Sequence, residues 1–462
     1  MSRAAVLSGL ALSALTGACT SENVTTAAKP VRSAVAGGTG SFALVPDGKS
    51  VKLYLPGYAA STNTPSLAVV DVSAPGDGVK GAPALLRQIT LGDGDGGAVE
   101  YATTTAGDST MIVAASTEAS LVWFVDPASD TVIGTLRLDA SYGQSTFGGN
   151  GGYVTFVAMD PARNRAILGV WNGLALVDLT TLAITKTIDA PPSENFAFDP
   201  DRQLVFAPFY DCASSLDSRG NTPRACDGLT APDGTPMTDG LSVVDLADDT
   251  VYTFQNPAAD DPAAPVGTSP GSAAVDPGSG LVIVPSKIHQ YQTTIDFSRA
   301  VFDRSTHVVT APATVLRGNG LTDVAIAPPD HLAFWEGENA ADIAAARVLT
   351  LAPAAPFDGG VPIADAGAPM ADAGVPAGPD YVFSLMPALP DGTPFTNLVS
   401  SHGVAVWPGA NDSAPFGITV SRDGRWVARV DLRTVLALPA SYHELSDVTA
   451  AVTFLDSQTP SP

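Results

Sequence analysis

Apolar residues in this chain come in short bursts, and six bursts are closed by an aspartate that leads into a polar turn. They read Leu67-Ala68-Val69-Val70-Asp71, Leu121-Val122-Trp123-Phe124-Val125-Asp126, Leu174-Ala175-Leu176-Val177-Asp178, Leu241-Ser242-Val243-Val244-Asp245, Thr293-Thr294-Ile295-Asp296 and Val452-Thr453-Phe454-Leu455-Asp456. β-Branched residues and alternating polarity mark these bursts as strands, and no segment carries a convincing amphipathic helical period. A longer unit surrounds each burst. It opens with a strand that ends in a Pro/Asp/Gly turn, as at Val45-Pro46-Asp47-Gly48, Asp160-Pro161, Asp199-Pro200, Asp276-Pro277, Pro328-Pro329-Asp330 and Arg422-Asp423-Gly424; these residues initiate turns. A second strand follows, such as Leu204 to Phe209, then the Asp strand, then a fourth such as Ile184 to Ile188.

Four strands per unit, repeated, predict an all-β chain folded as a β-propeller of about seven four-stranded blades. The units begin near Ser41, Val99, Val154, Asn195, Ser272, Leu321 and Phe416. The alternation of a Pro-Asp-Gly turn with a Val-x-Val-Ile-Asp-like strand resembles the YVTN-type propeller family over most of Ser41 to Asp456. Unit two departs from it, with Ala106-Gly107-Asp108 at the first turn, and unit six lacks the Asp strand. Read this way the last unit ends on its third strand, and Pro30 to Ala36 is expected to supply the fourth. The recurring aspartates are expected to bind backbone N–H groups of their own turns rather than to do chemistry.

The bulk numbers narrow the function classes. Gly (44) and Pro (38) are abundant in the 462 residues, as tight turns require, and the net charge is −24. Such a surface repels phosphate backbones, so no nucleic-acid partner is expected. Arg3, the apolar stretch Ala4 to Leu15 and Thr16-Gly17-Ala18 before Cys19 form an export signal over residues 1–18. Leu15-Thr16-Gly17-Ala18-Cys19 resembles a bacterial lipobox, which implies lipidation of Cys19 and a periplasmic or cell-surface protein tethered by residues 19–38, with the propeller over 39–457 and a tail at 458–462. Among three cysteines, that leaves Cys212 and Cys226 to pair in an oxidising compartment. Ala352 to Asp380, with its repeated Asp-Ala-Gly, has no apolar period and is expected to be a disordered insertion.

Long irregular segments fall between strands two and three and between units: Pro56 to Ser66, Ala140 to Gly152, Asp211 to Gly240 and Asn256 to Gly271. In a repeat fold, insertions on one face mark the binding face. Residues ending the second strands lie at the same place, and the candidate binding set is Tyr58, Trp171, Tyr210, Asp211, His289, Tyr291, Trp335 and Glu336. Aromatic faces beside carboxylates suit sugars or cations. The five histidines are scattered without metal-ligand spacing, Asp93-Gly94-Asp95-Gly96-Gly97 lacks the later ligands of a calcium loop, and the glycines of Phe147 to Gly152 precede a strand rather than a helix. No metal, cofactor or catalytic residue is therefore assigned. The expectation is a monomeric, non-catalytic module binding a protein or glycan at the envelope. The alternative is a hydrolase of lactonase-like kind with its site at the channel mouth, which rests on fold analogy.

Overall fold

The computed structural model describes residues 36–37, 42–47, 50–59, 64–73, 83–92, 104–116, 121–139, 142, 154–212, 223–231, 234–256, 259, 264–286, 291–317, 323–327, 332–338, 344–350, 380–384, 401–407, 416–421, 426–431, 442–444 and 450–454. Their strands form seven sheets, each with a core of four antiparallel strands in chain order. The first is Ala43–Asp47, Ser50–Ala59, Thr64–Asp71 and Ala84–Thr90, and the third is Val154–Asp160, Arg165–Val170, Gly173–Asp178 and Ala183–Asp189. In six sheets the side chains are described on at least the first three strands, and these pack as blades of a β-propeller. In the sheet from Asp323 to Ser384 only Val324 to Ile326 are so described.

The described seams between blades are largely apolar because both faces of a middle strand are buried. Leu67 and Val69 of the first blade meet Ile112, Ala114 and Trp123 of the second. On the opposite face, Leu53, Leu55 and Val70 meet Phe416, Ile418 and Val427 of the last blade, which closes the ring. Withdrawing one such side chain from water contributes about 1.5–3 kcal/mol. This is why the third strands read as nearly continuous apolar runs.

Five of the six recurring aspartates do what the turn chemistry predicts, and Asp456 lies outside the described residues. Asp71 Oδ1 accepts from the Ser73 amide at 2.9 Å, Asp126 from Ala128 at 2.9 Å, Asp178 from Thr181 at 2.7 Å, Asp245 from Ala247 at 2.9 Å and Asp296 from Ser298 at 3.1 Å. The first-turn aspartates Asp160, Asp199 and Asp276 are buried. The first two help tie blades together: Arg165 holds Asp160 at 2.9 Å and Gln203 of the next blade at 2.5 Å, and Arg202 holds Asp199 at 2.7 Å and the Pro277 carbonyl of the next at 2.9 Å.

The last blade differs from the sequence expectation. It begins at Ser401–Trp407 rather than at Phe416, and Ala450–Phe454 is its fourth strand, not its third. The third is Trp426–Asp431, whose Val427-Ala428-Arg429-Val430-Asp431 is itself an Asp strand. Arg422-Asp423-Gly424 therefore links strands two and three, outside the described residues, and only looks like a first turn. No N-terminal strand is called for at that edge. Ala36–Gly37 pairs instead with Gly57 and Tyr58 of the first blade, and residues 30–35 lie outside the described residues. Asp380–Ser384 takes the fourth position of its sheet, as expected of Tyr381 to Met386; the insertion at 352–379 lies outside the described residues.

Besides Ala36–Gly37, three of the described strands lie outside the repeat. Between the third and fourth strands of the fifth blade, the hairpin Val301–Asp303/Val308–Thr310 crosses to the fourth blade. There Val308–Thr310 pairs in parallel with Thr253–Gln255. Tyr442–Glu444 of the last blade pairs in the same way with Val382–Ser384 of the sheet before it. Each covers an outer edge that would otherwise offer unpaired N–H and C=O groups.

Candidate binding face

Turns of the Asp strands and the first strands share one end of the ring. The loops after the second strands and between blades share the other, and Trp171, Tyr210 and Asp211 lie at that loop end. Trp171 follows the second strand of the third blade, half-buried, and its amide donates to the Tyr142 carbonyl at 3.3 Å. The link it occupies is only Trp171-Asn172. It closes because Gly173 has φ +121°, where an added Cβ would lie 2.2 Å from the Ile188 carbonyl oxygen.

Tyr210 follows the second strand of the fourth blade, and its hydroxyl donates to the Glu194 carboxylate in the connection from the third. Asp211 comes next, exposed and left-handed at φ 50°. Its amide donates to Asp239 Oδ1 at 3.0 Å. Asp239 also accepts from the Ser269 amide in the connection to the fifth blade, and burial pushes its carboxyl above the usual range, with Asp211 beside it adding to the shift. One buried carboxylate thus pins two loops.

The expected Cys212–Cys226 disulfide is present, with Cα atoms 5.5 Å apart. It anchors a small core with Phe209, Leu229, Ala231 and Met237, separate from the blade seams. The Cys212 amide donates to the Thr238 carbonyl at 3.0 Å and that of Met237 to Leu229 at 3.0 Å, so the described ends of the insertion are cross-tied.

The remaining candidates are placed by their strands alone. Tyr58 lies opposite Pro65 and Tyr291 opposite Arg317. Trp335 lies between Val324 and Arg347, and Glu336 between Asp323 and Ala346. His289 and Cys19 lie outside the described residues. The structure brings Trp171, Tyr210 and Asp211 together with Tyr142, Glu194 and Asp239, three residues that sequence reading did not select. Asp239 had a signal, since it directly precedes the Gly240–Asp245 strand at the close of the long insertion. Among the described residues, no group of three His, Cys, Asp or Glu is arranged to hold a metal ion.

No family model matches the chain, and no curated protein matches it. Solved structures do. One is a complex of KlAtg21 with the coiled coil of AgAtg16, at 9% identity, covering 90% of this chain and 99% of that one with a TM-score of 0.49. Kluyveromyces lactis Hsv2 is 11% identical, with 91% and 98% covered and a TM-score of 0.46. The β-propeller domain of Myceliophteria thermophila Cps50 (Swd1) is 7% identical, with 84% and 94% covered and a TM-score of 0.46. At this identity the likeness extends to the fold alone.

Proposed function

We propose that this chain is an exported, lipid-anchored propeller of seven blades, of the YVTN repeat type, that binds a protein or glycan at the cell envelope without transforming it. The observation that carries the reading is the insertion at the loop end of the fourth blade. A disulfide, a core of its own and the Asp239 pins hold it against the blade, with Tyr210 and Asp211 at its root. A loop fixed in this way loses little conformational freedom when a partner docks. The acidic surface favours a neutral glycan or a basic protein patch over an anionic partner. The signal before Cys19 supports envelope attachment.

The test is capture from detergent-solubilised envelopes by the full chain and by a variant with residues 213–225 replaced by a Gly-Ser linker. The linker variant is expected to keep the melting temperature of a Cys212→Ser/Cys226→Ser control and to lose the captured partner. Equal capture by both would refute the reading. Cys19→Ala is expected to release the protein from the membrane fraction.

A further inference from the structure

The outer edges of the sheets are of two kinds. In the first three blades the fourth strand carries a bulge, with Leu86, Ile133 and Thr185 as the extra residues. In the other four sheets the fourth strand follows the third without a break in register. A bulge twists an edge and ends its pairing, which is one way a free edge is protected. A straight edge needs another device.

The links between third and fourth strands divide in the same way, one sheet further on. After each bulged edge comes a blade whose link is a tight turn: 127–130, 179–182 and 246–249. After each straight edge comes a sheet whose link is long: 297–312, 351–379, 432–449 and, across the seam between the last blade and the first, 72–83. Two of these long links supply the missing device, since Val308–Thr310 and Tyr442–Glu444 each pair in parallel with the straight edge before them. The straight edges left are Ala313–Arg317 and Ala450–Phe454. Among the described residues, no strand pairs with the outer side of either.

The link 72–83 has a further tie to the second of these edges. Its first residue, Val72, is buried in the core shared with Phe416, Ile418 and Val427 of the last blade. Arg429, on the third strand of that blade, donates through Nη1 to the Val72 carbonyl at 3.4 Å and also to the Ser73 carbonyl. Arg429 lies opposite Ala451 of the fourth strand. The link therefore sets out one strand away from the straight edge. Residues 74–82 lie outside the described residues. Fully extended they would reach about 30 Å, ample for crossing one strand. A strand on this edge must avoid proline, which has no N–H for a ladder. Pro75 and Pro83 leave Gly76 to Ala82 between them, with Val79 as the β-branched residue.

We propose that residues 78–80 pair in parallel with Ala450–Phe454, so that the last blade takes its outermost strand from the first blade as the fourth takes one from the fifth. The pairing uses backbone N–H and C=O groups, and it is independent of what the loop end binds. Hydrogen exchange followed by mass spectrometry tests it on the full chain, on Val79→Pro, which removes the central amide, and on Val79→Ala, which keeps it. Amides of 78–80 are expected to be protected in the parent and in the alanine variant. In the proline variant, exchange over 450–454 is expected to rise about tenfold, while the bulged edge at 131–137 stays unchanged. Amides of 78–80 that exchange in the parent as fast as in an unstructured peptide would overturn the proposal, and that measurement stands whether or not the proline variant folds. Protection of 450–454 that survives Val79→Pro would overturn it too. If that protection then faded on dilution, the edge would belong to a second copy of the chain.

Discussion

The Tyr54 hydroxyl donates to Asp130 Oδ1 at 2.7 Å across the seam between the first and second blades. Asp130 sits in the tight turn after the third strand of its blade, left-handed at φ 52°, with its side chain 3% exposed. Arg87 Nε at 3.2 Å and Lys52 Nζ at 3.7 Å complete its surroundings. Burial, and then the bond to Asp130, raise the Tyr54 hydroxyl well above its ordinary range, so it remains a donor at all working pH values. Tyr54→Phe removes one donor from a buried carboxylate and is expected to cost about 1.5–3 kcal/mol. Urea unfolding monitored by tryptophan fluorescence measures it. A change within error of zero would mean that the two cations suffice.

The disulfide closes a short loop, with the two cysteines 14 apart in sequence. Replacing both by serine is expected to lower stability by about 3 kcal/mol where unfolding is cooperative. Because the small core beneath it is separate from the seams, proteolysis should cut first within 213–222, before the blades open. Mass spectrometry of limited digests shows the order of cuts.

Carboxylates of the turns should govern acid sensitivity. Asp303 is held at about 2, chiefly by the Ser305 hydroxyl and then by Thr306 and the Ser305 amide. The Ser129 hydroxyl lowers Asp126, and the Thr181 amide lowers Asp178. A folded value below the unfolded one, about 3.9, gives stability that is complete above that pH and fades as pH falls through the folded value. Asp303→Asn should therefore melt below the parent above about pH 4, and the gap should close toward pH 2. Asp239 runs the other way. Its raised value means that it favours the folded state most when protonated, so Asp239→Asn should gain on the parent as pH rises. Calorimetric scans from acid to neutral pH give both curves.

The crossing hairpin covers the outer edge of the fourth blade. Replacing residues 301–310 with a short Gly-rich link should uncover Thr250–Gln255 and take away the packing of Phe302 on Tyr252, whose rings lie 4.9 Å apart. The expected outcome is a lower melting temperature and concentration-dependent association, since a free strand edge recruits others. Light scattering across a dilution series tests it, and a variant that stays monomeric would show that the edge is protected in another way.

How much of this could be read from the sequence follows from the range of each interaction. Asp71, Asp126, Asp178, Asp245 and Asp296 bond to residues two or three places on, so their role is written locally. The first six units are also legible from strand and turn signals, within a few residues. The last was misphased because Arg422-Asp423-Gly424 carries a first-turn signal between strands two and three, while Ser401-His402-Gly403 opens its inner strand with polar and flexible residues. The parallel pairings of Val308–Thr310 and Tyr442–Glu444 could not be foreseen, because a three-residue strand has no signature and its partner belongs to another blade. Glu194 was hidden for a similar reason, since only the ring brings it to Tyr210.

Those two borrowed strands also set an order of events during folding. The fourth blade has all its own residues once Gln255 is made, but its edge stays unsealed until Val308–Thr310 arrives after the next blade's third strand. The sheet ending at Ser384 waits likewise for Tyr442–Glu444. A chain growing from its N-terminus therefore carries two unfinished edges in turn, each closed only by a contact of long sequence separation, and such contacts form slowly. Chaperone demand should peak in these two intervals of synthesis, rather than while the first three self-sufficient blades are being made.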